Sequence, residues 1–195
     1  MSTVALPIPK TKVWSEDEYL DLPGGQLIEF DHGSIEVLPM PSMLHQKVVN
    51  RLLRALEDFV DARGLGDVLA APFPVKVGTN KFREPDVIFR RSDSVELDER
   101  ATKFWDQVEL VVEVLSEGSK NRARDLVTKR REYAAANIAE YWIVDLDSNE
   151  MIVLTLQGSD YIEAGRYRMG ETARSVVLPS FAVAVQTVIA PQKSH

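Results

Sequence analysis

Two continuous apolar runs in the second half of the chain predict strands that are buried on both faces. The runs VELVVEVL (108–115) and EYWIVD (140–145) are rich in β-branched and aromatic residues, which is typical of interior strands. The basic segment RDLVTKRREY (124–133) lies between them and predicts a helix that continues to about Ala136. Because strand, helix and strand follow in this order, we expect the two strands to be parallel neighbours, or nearly so, in one mixed sheet.

Two helices are predicted upstream from their capping residues. Ser15 and Glu18 form a capping box before a short helix, which should end at Pro23. Ser42 caps a long helix with apolar residues at helical spacing, which should end at Gly64. Its apolar positions are Val48, Val49, Leu52, Leu53, Leu56, Phe59 and Val60. His45 falls in the first turn of this helix, near the positive end of the helix dipole.

Shorter segments predict the remaining strands. LIEF (27–30) and SIEVL (34–38) flank a turn and form a plausible β-hairpin. DVLAAPFPVKV (67–77) predicts a strand pair or one bent strand, because two prolines interrupt it. A turn then leads into REPDVIF (83–89). After a turn, MIVLTLQ (151–157) should return antiparallel to the strand before it.

Two segments carry weaker signals. Residues 91–107 are polar and predict a loop with one helical turn. YIEAGRYRM (161–169) and VVLPSFAVAV (176–185) predict edge strands or short pieces. Together the elements predict one α/β or α+β domain, a mixed sheet flanked by helices. The chain has 195 residues, of which 45% are hydrophobic, enough for one sizeable core. We expect this domain to span residues 13–190 after a flexible lead-in at 1–12.

Composition narrows the class of protein. The chain has no Cys, which excludes disulfides and thiolate metal sites and suits the cytoplasm. No segment resembles a signal peptide or reaches the roughly 18 apolar residues of a membrane span, so we expect a soluble protein. The net charge of −7 argues against a protein that coats nucleic acids. Residues 119–132 nevertheless hold six Lys or Arg against two acidic residues, which is compatible with a polyanion.

Three charged residues near the predicted strands suggest metal-dependent phosphodiester chemistry. Asp86 follows Pro85, which has no N–H for a sheet and so favours a strand start or bulge that aims the next side chain at a cleft. Glu113 lies inside an apolar strand, where an unpaired carboxylate would be costly. Carboxylate oxygens are preferred ligands of Mg²⁺, and Lys129 on the following helix could orient a water or hold a phosphate.

Each candidate also has a structural interpretation. The Asp86 carboxylate could cap backbone N–H groups in a turn, and Glu113 could form a salt bridge with an Arg or Lys. A lysine such as Lys129 on a basic helix is usually solvated, Glu29 could belong to a cross-strand ion pair, and His45 could be a helix cap. Aromatic residues at Trp105, Tyr141 and Trp142 are better explained as core than as base-stacking platforms.

These motifs, taken together, resemble the PD-(D/E)XK nuclease superfamily and, within it, the Uma-two family of putative restriction endonucleases. The resemblance covers about residues 15–147. It includes IEFDHGSIEVLPMPS with the later His45, REPDVIF, VVEVLS, RDLVTKRREYA and EYWIVD, in this order and with fitting spacings. The resemblance implies a restriction-endonuclease-like fold, hydrolysis of DNA with Mg²⁺ or Mn²⁺, and a homodimer, since cutting both strands requires two sites.

The resemblance also implies roles for individual residues. Glu29, Asp86 and Glu113 would form the acidic metal site, with Glu29 assisting through a metal-bound water, and Lys129 would be the catalytic lysine. The superfamily's usual lysine lies two residues after the Glu, where this chain has Leu115, so the lysine has moved to the helix. Further candidates for the site or a phosphate contact are His45, Ser116, Asp125 and Tyr133. The candidates for DNA contact are Arg122, Arg124, Arg130 and Arg131.

Three positions depart from the family pattern: Glu117 stands in place of a Pro, Asn137 in place of a Gly, and Ala139 in place of a Pro. Glu117 matters most, because a negative charge beside the site could repel the substrate. Two other functions therefore stay open: a non-catalytic nucleic-acid or protein interaction module on the same fold, and a metal-dependent hydrolase of small phosphate esters. Metal binding that is lost in Asp86→Ala would separate an enzyme from an interaction module.

Overall fold

The computed structural model describes residues 12–23, 25–92, 98–115 and 124–189, with side chains described from Leu126 onward in the last range. The strands in these ranges are β1 (Ile28–Asp31), β2 (Ser34–Val37), β3 (Gly66–Ala70), β4 (Val75–Gly78), β5 (Lys81–Arg83), β6 (Val87–Arg91), β7 (Leu110–Leu115), β8 (Glu140–Asp145), β9 (Glu150–Gln157), β10 (Asp160–Arg168), β11 (Thr172–Arg174) and β12 (Ala182–Ala184). The helices are α1 (Glu16–Leu20), α2 (Met43–Asp61), α3 (Arg130–Ala135) and α4 (Val185–Ile189), and a π-helical segment (Arg124–Lys129) leads into α3.

A six-stranded mixed sheet forms the centre of the molecule, with the strand order β10-β9-β8-β7-β6-β3. Strands β7 and β8 are parallel, as predicted, and their register pairs Glu113 with Ile143. The other neighbours in this sheet are antiparallel, including the predicted return of β9 along β8. The predicted mixed sheet flanked by helices is confirmed.

The two central strands are buried along their whole length because hydrophobic clusters cover both faces of the sheet. Val112 and Trp142 belong to the cluster that includes α2, whereas Val111 and Tyr141 belong to the cluster that includes α3. This alternation follows from the two-residue period of a strand. It places Glu113, two residues after Val111, on the α3 side. Trp105, Tyr141 and Trp142 are all buried, as predicted.

A smaller four-stranded sheet, β2-β1-β5-β4, carries Glu29 on β1. The predicted hairpin is its edge, and the positive φ angles of His32 (47°) and Gly33 (86°) suit the tight turn between β1 and β2. Pro72 and Pro74 separate β3, in the large sheet, from β4, in the small one. The interrupted segment is therefore a strand pair divided between two sheets, since proline cannot donate to either ladder.

Helix α2 begins as the sequence predicts. Ser42 accepts a hydrogen bond from the His45 backbone N–H at 3.2 Å, and α1 has the predicted capping box between Ser15 and Glu18. The apolar face of α2 packs on the large sheet, because Val48, Leu52 and other predicted positions are buried. Within the described ranges, no helix combines the length and the apolar content needed to cross a membrane.

The basic helix differs from the prediction at its start. The prediction was a regular α-helix to about Ala136, but Arg124–Lys129 is π-helical and only Arg130–Ala135 is α-helical. Asn137 ends this helix in the left-handed conformation, with φ 58°, which Asn tolerates better than most residues. The π-helical turn brings the chain into α3 at Lys129, the predicted catalytic lysine.

Candidate active site

Lys129 lies in the interior and pairs with two glutamates. Its Nζ atom is 2.7 Å from Oε1 of Glu113 and 3.1 Å from Oε1 of Glu29. All three side chains are almost fully buried, with 2% of the Lys129 side chain exposed. A buried ammonium between two carboxylates neutralises part of their charge, so the lysine is not a solvated surface residue.

Tyr133 completes this group, which we call the lysine site (Glu29, Glu113, Lys129 and Tyr133). Its hydroxyl donates to Oε1 of Glu113 at 2.5 Å, and Lys129 donates to the same oxygen. Burial, and then the charge of Glu113, hold the pKa of Tyr133 well above its ordinary value. The tyrosine therefore stays a neutral donor. Positions 129 and 133 reach one oxygen because residues four apart share a helix face.

Asp86 is fixed by the strand that carries Glu113. Its Oδ2 atom accepts the backbone N–H of Val114 at 2.7 Å, and its Oδ1 lies 2.8 Å from Nε2 of His45. The register of β6 and β7 pairs Val87 with Val112, so Asp86 enters β6 beside the part of β7 that carries Glu113. The bond from Val114 ties one predicted metal ligand to the residue that follows the other.

The His45 ring bridges α2 and Asp86. Because an ionised Asp86 accepts hydrogen bonds and cannot donate them, Nε2 of His45 must carry the proton between them. The other ring nitrogen, Nδ1, is buried without a hydrogen-bond partner in the described part of the chain. The ring is 6% exposed. His45 thus holds Asp86 from the helix side while Val114 holds it from the strand side.

A network of charges surrounds the lysine site and was not predicted from the sequence. Arg83 donates to both oxygens of Glu132, each at 2.7 Å, and to Asp31 at 2.7 Å. It also lies 3.7 Å from Glu29. Burial opposes the charge of Arg83, but the bonds to Glu132 and Asp31 outweigh it and hold the arginine's pKa above its ordinary value. Arg83 thereby ties α3, which follows Lys129, to the sheet that carries Glu29.

Glu84 is a second feature that the sequence did not single out. It is 7% exposed, and its Oε2 atom accepts the backbone N–H of Ile28 at 2.8 Å. Burial, and secondarily the charge of Glu29, raise the pKa of Glu84 to about 7, against a lowering by Lys129. Its position between Arg83 and Pro85 does not indicate a buried carboxyl group, because the recognisable motif there is the Pro-Asp pair that follows it.

The other predicted residues are less informative. Ser116 and Arg122 lie outside the described residues, and so do the side chains of Arg124 and Asp125. Arg130 donates to the backbone carbonyl of Tyr161 on β10, so it serves the fold. Arg131 is exposed on α3. Of the four arginines predicted to contact DNA, only Arg131 is described as exposed.

The carboxylates suit a hard divalent cation. Asp86 and Glu113 have the carboxylate oxygens that Mg²⁺ prefers, and Mg²⁺ binds proteins through one or two carboxylates together with water and substrate phosphate. The chemistry of these donors therefore fits such a cation, whereas Glu29 lies against Lys129. In the described ranges, no three His, Asp or Glu side chains are grouped as a ready-made metal site.

The arrangement can bind and polarise a phosphate. Lys129 supplies a positive charge and hydrogen-bond donors within a site of low exposure, where electrostatic interactions are stronger than in water. The anionic Asp86 and Glu113 supply hard oxygen ligands, and the neutral Tyr133 fixes Glu113. Acid ligands and an ammonium group side by side are the parts that hydrolysis of a phosphate ester requires.

Comparison with known proteins gives a consistent result. The family model Uma2, described as "Putative restriction endonuclease", matches residues 16–186. A crystal structure of a putative nuclease belonging to DUF820 from Anabaena variabilis ATCC 29413 has a similar fold, with a TM-score of 0.69. The similarity covers 89% of this chain and 96% of that chain at 16% sequence identity. The comparison with curated proteins found no match.

Proposed function

The chain belongs to the Uma2 family of putative restriction endonucleases, and on this premise we propose that it is a metal-dependent endonuclease that hydrolyses phosphodiester bonds in DNA. The observation that carries the proposal is the buried Lys129, whose ammonium group contacts Glu113 and Glu29. Glu113 lies beside Val114, whose N–H binds Asp86. Glu113 and the lysine thus meet, although the lysine comes from the helix, and Asp86 is bound to the strand that carries Glu113.

In the proposed reaction, a water oxygen forms a bond to phosphorus and the bond to one ester oxygen breaks. The leaving oxygen takes up a proton, and the products are an alcohol and a phosphate monoester. Lys129 would donate hydrogen bonds to a phosphate oxygen or to the attacking water, which stabilises the charge that develops. Tyr133 and Arg83 act through position, because they fix Glu113 and α3.

Asp86 and Glu113 would hold Mg²⁺ or Mn²⁺, and Glu29 would assist through a water bound to the cation. When bound, the cation would neutralise the phosphate and lower the pKa of a bound water. His45 would keep the Asp86 carboxylate oriented through its Nε2–H. Arg131 would contact the DNA backbone from the exposed side of α3, and two copies of the chain would serve the two strands.

A direct cleavage experiment tests the proposal. Duplex DNA, single-stranded DNA and a supercoiled plasmid are incubated with the full chain in Mg²⁺, Mn²⁺ or a chelator. We expect metal-dependent cleavage that Asp86→Asn and Glu113→Gln abolish. Asp67→Asn is the matched control, because Asp67 is exposed and lies 3.7 Å from Arg90, away from the lysine site. Equal background cleavage by wild type and both site variants would refute the nuclease function for these substrates.

One observation favours a second candidate, a non-catalytic interaction module on the same fold. The net charge of −7 disfavours close approach of a polyanion. Calorimetry with Mg²⁺ and Mn²⁺ separates the two candidates, because only the enzyme requires a metal site that Asp86→Asn and Glu113→Gln weaken. Absence of both metal binding and DNA cleavage would favour the module.

A further inference from the structure

A cleft of about 300 Å³ opens between α1 and the connection from β3 to β4. Its lining is mainly apolar and partly aromatic. The lining side chains that matter for the argument are Tyr19, Leu20, Leu22, Ile28, Phe73 and Pro74. Glu84 contributes the buried carboxyl group of this lining, so we call the pocket the Glu84 cleft. This volume lies at the small end of the range for ligand pockets.

The Glu84 carboxyl is poorly satisfied for its burial. Its hydrogen bonding within the described chain consists of one bond, from the Ile28 N–H, and no cation of the described chain pairs with it. A buried carboxyl with so few partners costs folding free energy. By contrast, Glu140, which is fully buried, has four donors. Glu84 therefore presents an unmet acceptor to an apolar cleft, as a ligand site would.

The Glu84 cleft adjoins the candidate active site along two segments of chain. Glu84 precedes Asp86 by two residues, and Ile28, which binds Glu84, immediately precedes Glu29. The backbone carbonyl of Asp86 accepts from Ala71, at the start of the connection that lines the cleft. A substrate whose phosphate lies near Asp86 can therefore extend a neighbouring group into the cleft.

We propose that the Glu84 cleft receives one base of the nucleic acid, turned out of its stack beside the scissile phosphate, and that Glu84 accepts a hydrogen bond from an amino group of that base. The inference rests on the proposed nuclease function. Flat apolar faces of a base suit the aromatic and proline walls, and enzymes that extrude a base read its edge with hydrogen bonds. Carboxylates accept from the amino group of cytosine in the same way.

The test uses free nucleosides as probes of the full chain. Calorimetry or ligand-observed NMR measures binding of deoxycytidine and thymidine. We expect deoxycytidine to bind roughly five- to tenfold more tightly than thymidine, which has no amino group. Glu84→Gln should remove this preference, because Ile28 holds the amide oxygen and the amide nitrogen can only donate. Leu22→Trp, which fills the cleft without altering Glu84, should abolish binding.

Glu109→Gln is the matched control, because Glu109 also accepts one backbone N–H, from Arg91 at 2.9 Å, but does not line the cleft. This variant should bind like wild type. Absence of nucleoside binding at millimolar concentration, or binding that Glu84→Gln and Leu22→Trp leave unchanged, would overturn the inference.

The two proposals can fail separately. Asp86→Asn should lose DNA cleavage and keep nucleoside binding, because Asp86 does not line the cleft. A wild-type chain that cuts DNA but binds no nucleoside refutes the Glu84 cleft and leaves the nuclease proposal standing. A chain that binds deoxycytidine through Glu84 but never cuts DNA refutes the nuclease proposal and supports the cleft as a base-binding site.

Discussion

Glu113 and Glu140 stand on adjacent parallel strands and are equally inaccessible, yet their carboxylates are satisfied in different ways. Glu140 accepts from the Trp142 indole, the Ser175 hydroxyl and the backbone N–H groups of Val176 and Val177. These donors are neutral and belong to the fold. Glu113 instead depends on the ammonium of Lys129 and the hydroxyl of Tyr133, both on one oxygen.

The difference separates a structural carboxylate from a candidate for chemistry. Four neutral donors hold the Glu140 carboxylate in one geometry, and both of its oxygens are already occupied by hydrogen bonds from the fold. The lysine that stabilises Glu113 also contacts Glu29, and the next residue along the strand binds Asp86. Such a group can redistribute its contacts when a cation or a phosphate arrives. Burial alone does not distinguish the two glutamates; the identity of their partners does.

The largest expected effect tests this comparison directly. Glu113→Gln should lower the rate of DNA cleavage by roughly a thousandfold, because the proposed metal site would lose a charge worth about 4 kcal/mol in the transition state. Glu140→Gln should change the rate by less than about threefold at a temperature where both variants are folded. Single-turnover cleavage of duplex DNA measures both. Equal losses of cleavage rate in the two variants would contradict the distinction between Glu113 and Glu140.

The second prediction concerns Lys129, the partner of the Glu113 carboxylate. Lys129→Met should leave Glu29 and Glu113 buried together without their cation, at a cost of about 3–5 kcal/mol in unfolding free energy. Cleavage should also fall about a hundredfold. Urea unfolding and cleavage assays measure the two effects. Lys12→Met, which removes an exposed lysine bound to Glu18, is the control and should do neither.

The third prediction concerns Glu84. Like Glu140, it accepts from neutral donors, but it has one such donor where Glu140 has four. Its pKa is raised from 4.5 to about 7 in the folded state, so the folded protein binds the proton more tightly than the unfolded chain. Its contribution to stability is therefore complete below about pH 4.5 and is lost as the pH rises toward 7. This difference in pKa corresponds to a loss of roughly 3 kcal/mol in unfolding free energy.

Glu84→Gln isolates this contribution, because the amide keeps the bond from Ile28 and cannot ionise. Relative to the variant, wild type should lose stability between pH 4.5 and pH 7 and then stay level. Urea unfolding across this pH range measures the difference. A difference that does not vary with pH would contradict the assigned burial of Glu84.

The fourth prediction addresses the stability of the structural carboxylate. Each carboxylate oxygen of Glu140 accepts two hydrogen bonds. In Glu140→Gln the amide nitrogen replaces one of these oxygens, so two donors lose their acceptor in either orientation of the amide. We expect a loss of about 2 kcal/mol in unfolding free energy. Glu109→Gln, with one donor at stake, should lose less.

The smallest expected effect concerns the support of Asp86. His45→Gln should weaken Mn²⁺ binding about tenfold, because groups that orient a metal ligand typically contribute at this level. Thermal unfolding should change little, since Val114 still binds Asp86. Calorimetric titration with Mn²⁺ measures the affinity, and His32→Gln, an exposed histidine on the β1–β2 turn, serves as the control.

Periodicity predicted the central strands, the hairpin and the long helix because apolar spacing and capping residues are local signals. The resemblance further indicated Glu29, Asp86, Glu113 and Lys129 as site residues. The structure brings Glu29, Glu113 and Lys129 into contact and sets Asp86 beside Val114. Their roles in catalysis remain predictions, because the contacts alone do not test chemistry.

The features that the sequence did not reveal depend on long-range packing. Arg83 meets Glu132 across 49 residues of chain, and Ile28 meets Glu84 across 56. No local sequence pattern indicates either pair, because the partners are far apart in the sequence and meet only in the folded chain. The division of the strands into three sheets likewise follows from how the segments pack. A buried glutamate in a charged sequence such as REPD becomes visible only when its neighbours are known.

The π-helical turn before Lys129 has a consequence for how relatives of this chain are found. The hydrogen bond from Lys129 to Glu113 spans 16 residues, and part of that stretch is a helical turn with one residue more than an α-turn needs. A change of one residue in its length can be taken up there without moving α3 or its lysine. A search that requires a fixed interval between the acidic strand and the lysine would therefore miss any homologue in which this turn is one residue shorter.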